Sequence, residues 1–192
     1  MLSVQACLLP VTNDTEPLVR VAYLGSYGCC WIIRVVITKG CIKQSFIAGI
    51  YSIITIGILT ILTYKTESGL FLIASFGSSM VLLYGYPESP FAQPKNIFFG
   101  HLLTAIVGMF FLYFVPLPLY ILIPLAVGFG VGLMIFLNVT HPPAGGNPII
   151  VIMGSVSPDY ILNPIISGSV IILGFGIIIN RFILKKSYPK SK

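Results

Sequence analysis

Thr140-His141-Pro142-Pro143-Ala144-Gly145-Gly146-Asn147-Pro148 interrupts an almost wholly apolar part of the chain. Residues 119–139 before it and 149–153 after it are nearly all aliphatic or aromatic side chains and glycines. The prolines remove backbone donors and prevent a regular helix. At membrane depth, irregular backbone is tolerated only where protein buries it or where it lines a cavity. The stretch therefore predicts a break inside a membrane-embedded element, with a site at the break.

The composition is that of an integral membrane protein. The 192 residues are 56% hydrophobic and 8% charged, with a mean hydropathy of +0.98, whereas soluble domains carry about a quarter charged residues. The net charge of +6 comes largely from basic residues that flank the apolar runs, which favours a lipid bilayer and not a nucleic acid as the partner. By the positive-inside rule, these residues place both termini in the cytoplasm.

We expect three regions along the chain: an N-terminal cytoplasmic or interfacial segment over 1–45, a transmembrane domain over 46–184, and a basic cytoplasmic tail over 185–192. The apolar part of residues 18–37 is shorter than the roughly 20 residues that a spanning helix needs. An interfacial helix is therefore favoured there, with a true span as the alternative. The four cysteines have no zinc-ligand spacing, and neither a metal nor another cofactor is expected.

The transmembrane domain is interpreted as two repeats, 46–115 and 117–184. Ser78–Gly85 aligns without gaps with Asn147–Gly154, because each has a small or polar pair, five apolar residues and a glycine. Each repeat is predicted to form a span, an interrupted element and a second span. The fold class is thus all-α, with about four full spans and two broken or short half-helices. Three crossings per repeat would invert the second copy relative to the first, as in many secondary transporters.

The two interruptions predict an anion site. Unpaired N–H groups at a helix start carry partial positive charge and bind anions, and inverted repeats would bring two such starts face to face near the midplane. Because carboxylates are scarce in the spans, a divalent cation is disfavoured. The residues assigned to substrate binding are Gly77, Ser78, Ser79, His141, Ala144, Gly145, Gly146 and Asn147. Those assigned to the structure of the motif are Pro87, Pro90, Pro94, Asn96, Pro142 and Pro143.

These assignments have structural alternatives. Gly77-Ser78-Ser79 also fits close helix packing, and His141 also fits a helix-end residue bonded to a backbone carbonyl. Intramembrane ionisable residues are functional by default, so the functional hypothesis is that His141 donates to the anion or carries a coupled proton. His101, near the start of a span, is expected to be structural.

Four blocks in this order resemble the HPP family of small integral membrane proteins, which is named for its His-Pro-Pro tripeptide. The blocks are Phe76–Gly85, Pro87–Asn96, Gly100–Leu103 and Thr140–Gly145. Characterised members in cyanobacteria and chloroplasts are nitrite transporters. The resemblance therefore implies nitrite as the substrate, a part in nitrate assimilation, and a bacterial, cyanobacterial-type inner membrane in preference to a plastid envelope. Gly146-Asn147-Pro148 departs from the Ala-Thr continuation of many bacterial members, which bears on the substrate more than on the fold.

The predicted function is therefore membrane transport of a small monovalent anion, with nitrite as the first candidate. An anion channel through the same site is the nearest alternative, followed by a membrane-embedded enzyme and a non-transporting assembly subunit. An enzyme would need a nucleophile with a base, or a metal cluster, and the spans offer no acidic partner, so we expect no enzymatic activity. Glycines at 128, 130 and 132 are compatible with a homo-oligomer.

Overall fold

The computed structural model describes residues 39–65 and 71–190, and over these residues the secondary structure is helical. The interfacial helix predicted over 18–37 lies outside the described residues. The α-helices are α1 (Lys39–Lys65), α2 (Ala74–Met80), α3 (Pro94–Phe114), α4 (Leu119–Phe136), α5 (Asn147–Met153) and α6 (Ser167–Ile177). Short 3-10 or π segments adjoin them at Val81–Gly85, Pro90–Ala92, Pro142–Gly146, Pro158–Ile161, Leu162–Ile166 and Ile178–Ile183.

Four helical stretches of the described chain are long and apolar enough to cross a membrane. They are Ile42–Lys65, Pro94–Phe114, Leu119–Phe136 and Pro158–Ile183. The other two helices, α2 and α5, have seven residues each, which is too few to span a bilayer alone. The predicted all-α membrane fold, with four full spans and two short elements, is thereby confirmed.

The first short element begins earlier than predicted. The backbone is extended at Ile73 (φ −131, ψ 153), and α2 starts at Ala74 and runs on into the π-helical turn that ends at Gly85. Gly77 and Ser78 therefore lie within the helix, on its exposed side. The helix start predicted at Gly77 is wrong, because Ala74, Ser75 and Phe76 contain neither proline nor glycine and so join the helix without difficulty.

The second short element agrees with the predicted break. A 3-10 turn over Pro142–Gly146 follows the extended backbone of His141 (φ −134, ψ 98), and α5 then begins at Asn147. Proline at the first helical position is favourable because its missing N–H would be unpaired there in any case. Pro142 therefore favours the start of this element, whereas α4 has already ended at Phe136.

Each short element contacts a glycine of a long helix at corresponding positions, although α5 lies much more closely along α3 than α2 does along α6. A Cβ added to Gly100 of α3 would lie 3.6 Å from the Cβ of Ala144, whereas one added to Gly168 of α6 would lie 2.3 Å from the ring of Phe76. Gly168 follows Gly100 by 68 residues, and Ala144 follows Phe76 by the same 68 residues. The first contact of each short element thus repeats at a constant offset in sequence.

A second pair of contacts repeats with the same offset. A Cβ at Gly108 would lie 3.0 Å from Val151, and a Cβ at Gly176 would lie 2.6 Å from Leu83. Each short element therefore packs on the last span of the other half of the domain. These contacts support an internal repeat and pair residue 79 with residue 147, one position away from the sequence alignment. The inversion of one copy relative to the other stays a prediction.

The described C-terminal residues return to the loop that precedes α3. Tyr188 is buried, and its hydroxyl donates to the carbonyl of Ala92 at 2.8 Å. The backbone N–H of Lys190 donates to Oε1 of Gln93 at 2.9 Å. This loop contains Pro87 and Pro90, and we call it the proline-rich loop. The described part of the basic tail predicted over 185–192 therefore packs against it. We call residues 185–190 the C-terminal strap.

Candidate functional site

Buried polar side chains gather where both short elements meet α3. Helix α2 contributes two serines one turn apart, and α3 contributes a histidine and a threonine three residues apart. The stretch from His141 to Asn147, which we call the second break, contributes a histidine and an asparagine. Side chains at such spacings share one helix face. We call this group the His-Ser cluster: Ser75, Ser79, His101, Thr104, His141 and Asn147, each no more than 5% exposed.

The hydroxyl of Ser79 lies at the centre of the cluster. Its Oγ is 3.0 Å from Nε2 of His101 and 2.8 Å from Nε2 of His141, and the centroids of the two imidazole rings are 5.0 Å apart. The same oxygen is 3.0 Å from the carbonyl of Ser75. A hydroxyl has one proton to donate, so Ser79 can donate to only one of these acceptors at a time.

The partners of the two rings assign their tautomers. Nδ1 of His141 is 2.8 Å from the carbonyl oxygen of Phe91, which can only accept, so Nδ1 carries the hydrogen and Nε2 of the neutral ring accepts from Ser79. Nδ1 of His101 is 3.1 Å from the amide Nδ2 of Asn147, which can only donate. Nδ1 of His101 therefore accepts, and its Nε2–H donates to Ser79.

The orientation of the Asn147 amide follows from a second carbonyl. Nδ2 of Asn147 is 3.1 Å from the backbone oxygen of His101 and 3.0 Å from Oγ1 of Thr104, while Oδ1 accepts from the hydroxyl of Ser75 at 2.7 Å. The hydrogen bonds then run in one direction, from Asn147 through His101, Ser79 and His141 to the Phe91 carbonyl. This chain joins both short elements to α3.

The cluster contains several donors, two unprotonated ring nitrogens and no carboxylate. In the described part of the chain, the carboxylates are those of Glu88 and Asp159, and both residues are exposed. The same part of the chain has no group of three histidine, cysteine or acidic side chains that could hold a metal ion. The cluster is therefore suited to a small anion, to protons, or to both.

The sequence profile of the family described as HPP, transmembrane region, matches residues 37–189. The chain belongs to the HPP transmembrane family. His141-Pro142-Pro143 is the only His-Pro-Pro tripeptide in its sequence, and its histidine lies in the His-Ser cluster. The family membership suggested by the four sequence blocks is thus confirmed, whereas the nitrite-transporter type stays a prediction.

This HPP protein is similar to two proteins of Dictyostelium discoideum whose names describe them only as transmembrane proteins. One is 38% identical over 125 residues, which cover 62% of this chain and 44% of the relative. The other is 34% identical over 148 residues, which cover 72% of this chain and 48% of the relative. The chain spans about half the length of these curated relatives. No solved structure matches it.

The structure brings together only some of the residues that the sequence assigned to binding. Ser79, His141 and Asn147 are in the cluster, whereas Gly77 and Ser78 point away from it on the exposed side of α2. The others in the second break are buried Ala144, which contacts Gly100, and partly exposed Gly145 and Gly146. The N–H of residue 144 donates to the carbonyl of residue 141 within its own turn and is therefore already paired.

The residues assigned to the structure of the motif lie at helix starts and in the loop between α2 and α3. Nδ2 of Asn96 donates to the carbonyl of Thr140 at 3.0 Å, which ties α3 to the second break. Gln93 donates to the Pro87 carbonyl at 3.0 Å. Pro90, Pro94 and Pro142 each stand in the first turn of a helix, and Pro143 follows within the 3-10 turn.

Sequence reasoning missed three members of the cluster: Ser75, His101 and Thr104. His101 was expected only to have a structural role, but its ring contacts both short elements. One signal was available: Gly100, His101, Thr104 and Gly108 fall on one face of α3, and the glycines admit the second break at close range. Ser75 is likewise one helical turn before Ser79.

A cavity of about 450 Å³ opens between the proline-rich loop and the C-terminal strap. It is lined by Pro90, Gln93, Pro94, Lys95, Asn96, Asn138, Pro189 and Lys190. Its lining includes two lysines and no carboxylate, so its charge favours anions. Burial raises the pKa of Tyr188, so the phenol remains protonated at neutral pH and keeps the strap bonded to Ala92.

Proposed function

We propose that this HPP protein transports a small monovalent anion, nitrite being the first candidate, and that the His-Ser cluster is its binding site. The observation that carries the proposal is the Ser79 hydroxyl, which bridges two buried histidines beside the Asn147 amide. Polar groups buried in a membrane are costly, and ionisable ones mark ion and proton pathways by default. A cluster rich in donors and free of carboxylates favours a negative ion.

Each donor of the cluster can form a hydrogen bond to a bound anion. They are the Nε2–H of His101, the hydroxyls of Ser75 and Ser79, and the Asn147 amide. These groups bond to one another in the described arrangement, so an entering ion replaces bonds that already exist. A hydrogen bond to a charged group contributes about 1.5–3 kcal/mol. Neutral donors of this strength hold a small ion without preventing its release.

The two acceptor nitrogens provide for a coupled proton. His101 Nδ1 and His141 Nε2 accept hydrogen bonds in the neutral rings, so each has a free lone pair when its donor turns away. A proton on Nε2 of His141 would face the ion in place of Ser79 and offset its charge. The transported pair would then be neutral overall, which lowers the electrostatic cost of crossing the membrane.

A membrane-embedded enzyme is the second candidate, because the Ser79 oxygen lies 2.8 Å from a histidine nitrogen, as a nucleophile does from its base. Two contacts favour transport. The other nitrogen of His141 meets a neutral carbonyl and not a carboxylate, and Ser79 also receives a bond from His101. A serine-directed fluorophosphonate separates the two, since an enzyme would be labelled at Ser79 and a transporter would not.

The test of the proposed function is nitrite uptake into proteoliposomes by the wild type and two adjacent serine variants. Ser79→Ala removes the central hydroxyl, whereas Ser78→Ala is a matched control on the exposed side of the same helix. We expect Ser79→Ala to slow uptake about tenfold or more, which corresponds to about 1.4 kcal/mol, and Ser78→Ala to behave as wild type. Equal uptake by the two variants would contradict the site, and no uptake by the wild type would contradict the function.

A further inference from the structure

We propose that Ser169 of α6 binds the transported anion, from the side of the site opposite His101. This inference rests on the proposed function and adds a ligand to it. Nothing in the sequence motifs marks Ser169, which lies in an apolar helix between two glycine contacts. The case comes from its burial, from its hydroxyl and from the internal repeat.

The hydroxyl of Ser169 is buried without a partner. The residue is 0% exposed, and its Oγ has no hydrogen-bond partner within the described residues. The buried hydroxyl of Thr104, by contrast, donates to the carbonyl of Gly100 one turn earlier in its helix. Leaving a buried hydroxyl unpaired is unfavourable, and this one remains available to a ligand.

The repeat places Ser169 opposite His101. The offset of 68 residues that relates the glycine contacts also relates Ser169 to His101 and Asn147 to Ser79. His101 contacts both Ser79 and Asn147, at 3.0 and 3.1 Å. Because these two residues exchange places under the repeat, the counterpart of His101 faces the same pair from the other half of the domain.

The glycine contacts next to His101 and Ser169 support the same alignment of the two repeats. Gly100 precedes His101 and packs against the second break, while Gly168 precedes Ser169 and packs against α2 at Phe76. The backbone next to Ser169 is therefore in contact with the Phe76 ring, which belongs to the helix that bears Ser79. Both members of the pair, Ser169 and His101, are fully buried.

The difference in length between the side chains of His101 and Ser169 indicates the size of the ligand. An imidazole is long enough to bond directly to Ser79 and Asn147, whereas a serine side chain is much shorter and its hydroxyl makes neither bond. A small ion can join the hydroxyl to that pair, but an organic anion would be too large for a fully buried position. No carboxylate of the described chain lies in the cluster, so the hydroxyl would act as a donor to a small anion such as nitrite.

The test compares Ser169→Ala with Ser167→Ala in nitrite uptake and thermal unfolding. Oγ of Ser167 is also buried without a partner among the described residues, but its counterpart in the repeat is Phe99, which is 48% exposed and lies on the outer surface. Neither variant breaks a hydrogen bond, so neither should lose stability without nitrite. We expect Ser169→Ala to raise the KM for nitrite about tenfold, as for the loss of one donor to a charged group, and Ser167→Ala to leave it unchanged.

Each outcome decides the proposal. An unchanged KM in Ser169→Ala overturns the assignment of Ser169 while the uptake of the wild type upholds the transport function. A loss of thermal stability in Ser169→Ala, with KM unchanged, would show a structural role and also overturn the assignment. A wild type that neither takes up nitrite nor gains thermal stability from it would overturn both proposals.

Discussion

The two short elements, residues 74–85 and 142–153, share a pattern of glycine contacts but not their chemistry. Their contacts with α3 and α6 repeat at one offset in sequence. At the entrance to the second element, however, stands His141, and the equivalent position in the first is Ile73; both side chains are buried. The fold therefore buries both positions, but only the histidine can bind or transfer a proton.

The long helices that receive these elements differ in the same way. Helix α3 carries His101 and Thr104, and α6 carries Ser169 and Ile172 at the equivalent positions, all buried. The polar side chains thus concentrate on the α3 side of the domain. Packing, which depends on the glycines, and chemistry, which depends on a few polar substitutions, are separate properties of this repeat and can be perturbed separately.

The largest effect on stability is expected from replacing with alanine the glycines that contact the short elements. Gly168→Ala would place a Cβ 2.3 Å from the ring of Phe76 and 2.7 Å from the backbone oxygen of Phe71, whereas Gly100→Ala would place one 2.8 Å from the Cβ of His141. Overpacking costs typically about 1–3 kcal/mol. We expect both variants to unfold at lower temperature in detergent, with Gly168→Ala the more affected because a backbone atom cannot move aside easily.

The matched control for this prediction is Gly77→Ala, which meets no atom within 4 Å. In a helix interior, alanine is favoured over glycine by up to about 1 kcal/mol, so this variant should unfold at the same or a higher temperature. If Gly168→Ala unfolded at the same temperature as Gly77→Ala, the contact between Gly168 and Phe76 would be refuted.

A large loss of uptake, together with some loss of stability because a buried charge is costly, is expected from Asn147→Asp. The change preserves side-chain shape, but it replaces the amide that donates to His101 and Thr104 with an acceptor-only carboxylate. A negative charge in the cluster would repel an anion, so nitrite uptake should fall below detection. The measurement is initial uptake at several nitrite concentrations.

Asn147→Ser is the control for this charge effect, because it installs the residue that the other repeat has at the equivalent position, Ser79. The variant loses some hydrogen bonds of the cluster but adds no charge, so it should retain partial uptake with a raised KM. Equal uptake by Asn147→Asp and the wild type would remove the electrostatic reason for assigning an anion to the cluster.

Much of the fold could be predicted from sequence, because the lengths of the apolar runs and the positions of the prolines are strong constraints in a membrane. They gave the four spans, the break at His141 and the seven-residue helix after it. The start of α2 at Ala74 could not be predicted in the same way, since Gly77, Ser78 and Ser79 can all be accommodated within a helix and nothing in that stretch forces it to begin there.

The site was harder to predict, since a span that is apolar on every side does not show which side faces inward. His101 was therefore expected to be structural, although its ring lies between the two short elements. The register of the repeat was also ambiguous, because runs of similar apolar residues align in several ways. Contacts at the glycines fix it, and they replace the pairing of Ser78 with Asn147 by that of Ser79 with Asn147.

The smallest effect on uptake is expected from two tyrosines that hold the loops after the two short elements. Tyr188 donates to the carbonyl of Ala92 after the first element, and Tyr113 donates to the carbonyl of Val156 after the second, both at 2.8 Å. Tyr188 is 2% exposed and Tyr113 is 52% exposed. Tyr188→Phe leaves a shielded carbonyl unpaired and should cost about 1–3 kcal/mol, whereas Tyr113→Phe should cost about 1 kcal/mol or less, since water can replace the hydroxyl.

Thermal unfolding measures the difference in stability between the two variants, and nitrite uptake tests whether the strap affects transport. The Phe91 carbonyl, next to that of Ala92, accepts from Nδ1 of His141 and sets its tautomer. Loosening the strap in Tyr188→Phe should therefore slow nitrite uptake by a few fold, while Tyr113→Phe leaves it unchanged. If both variants lowered uptake equally, the strap would have no particular connection to His141, and the loops would act only through general stability.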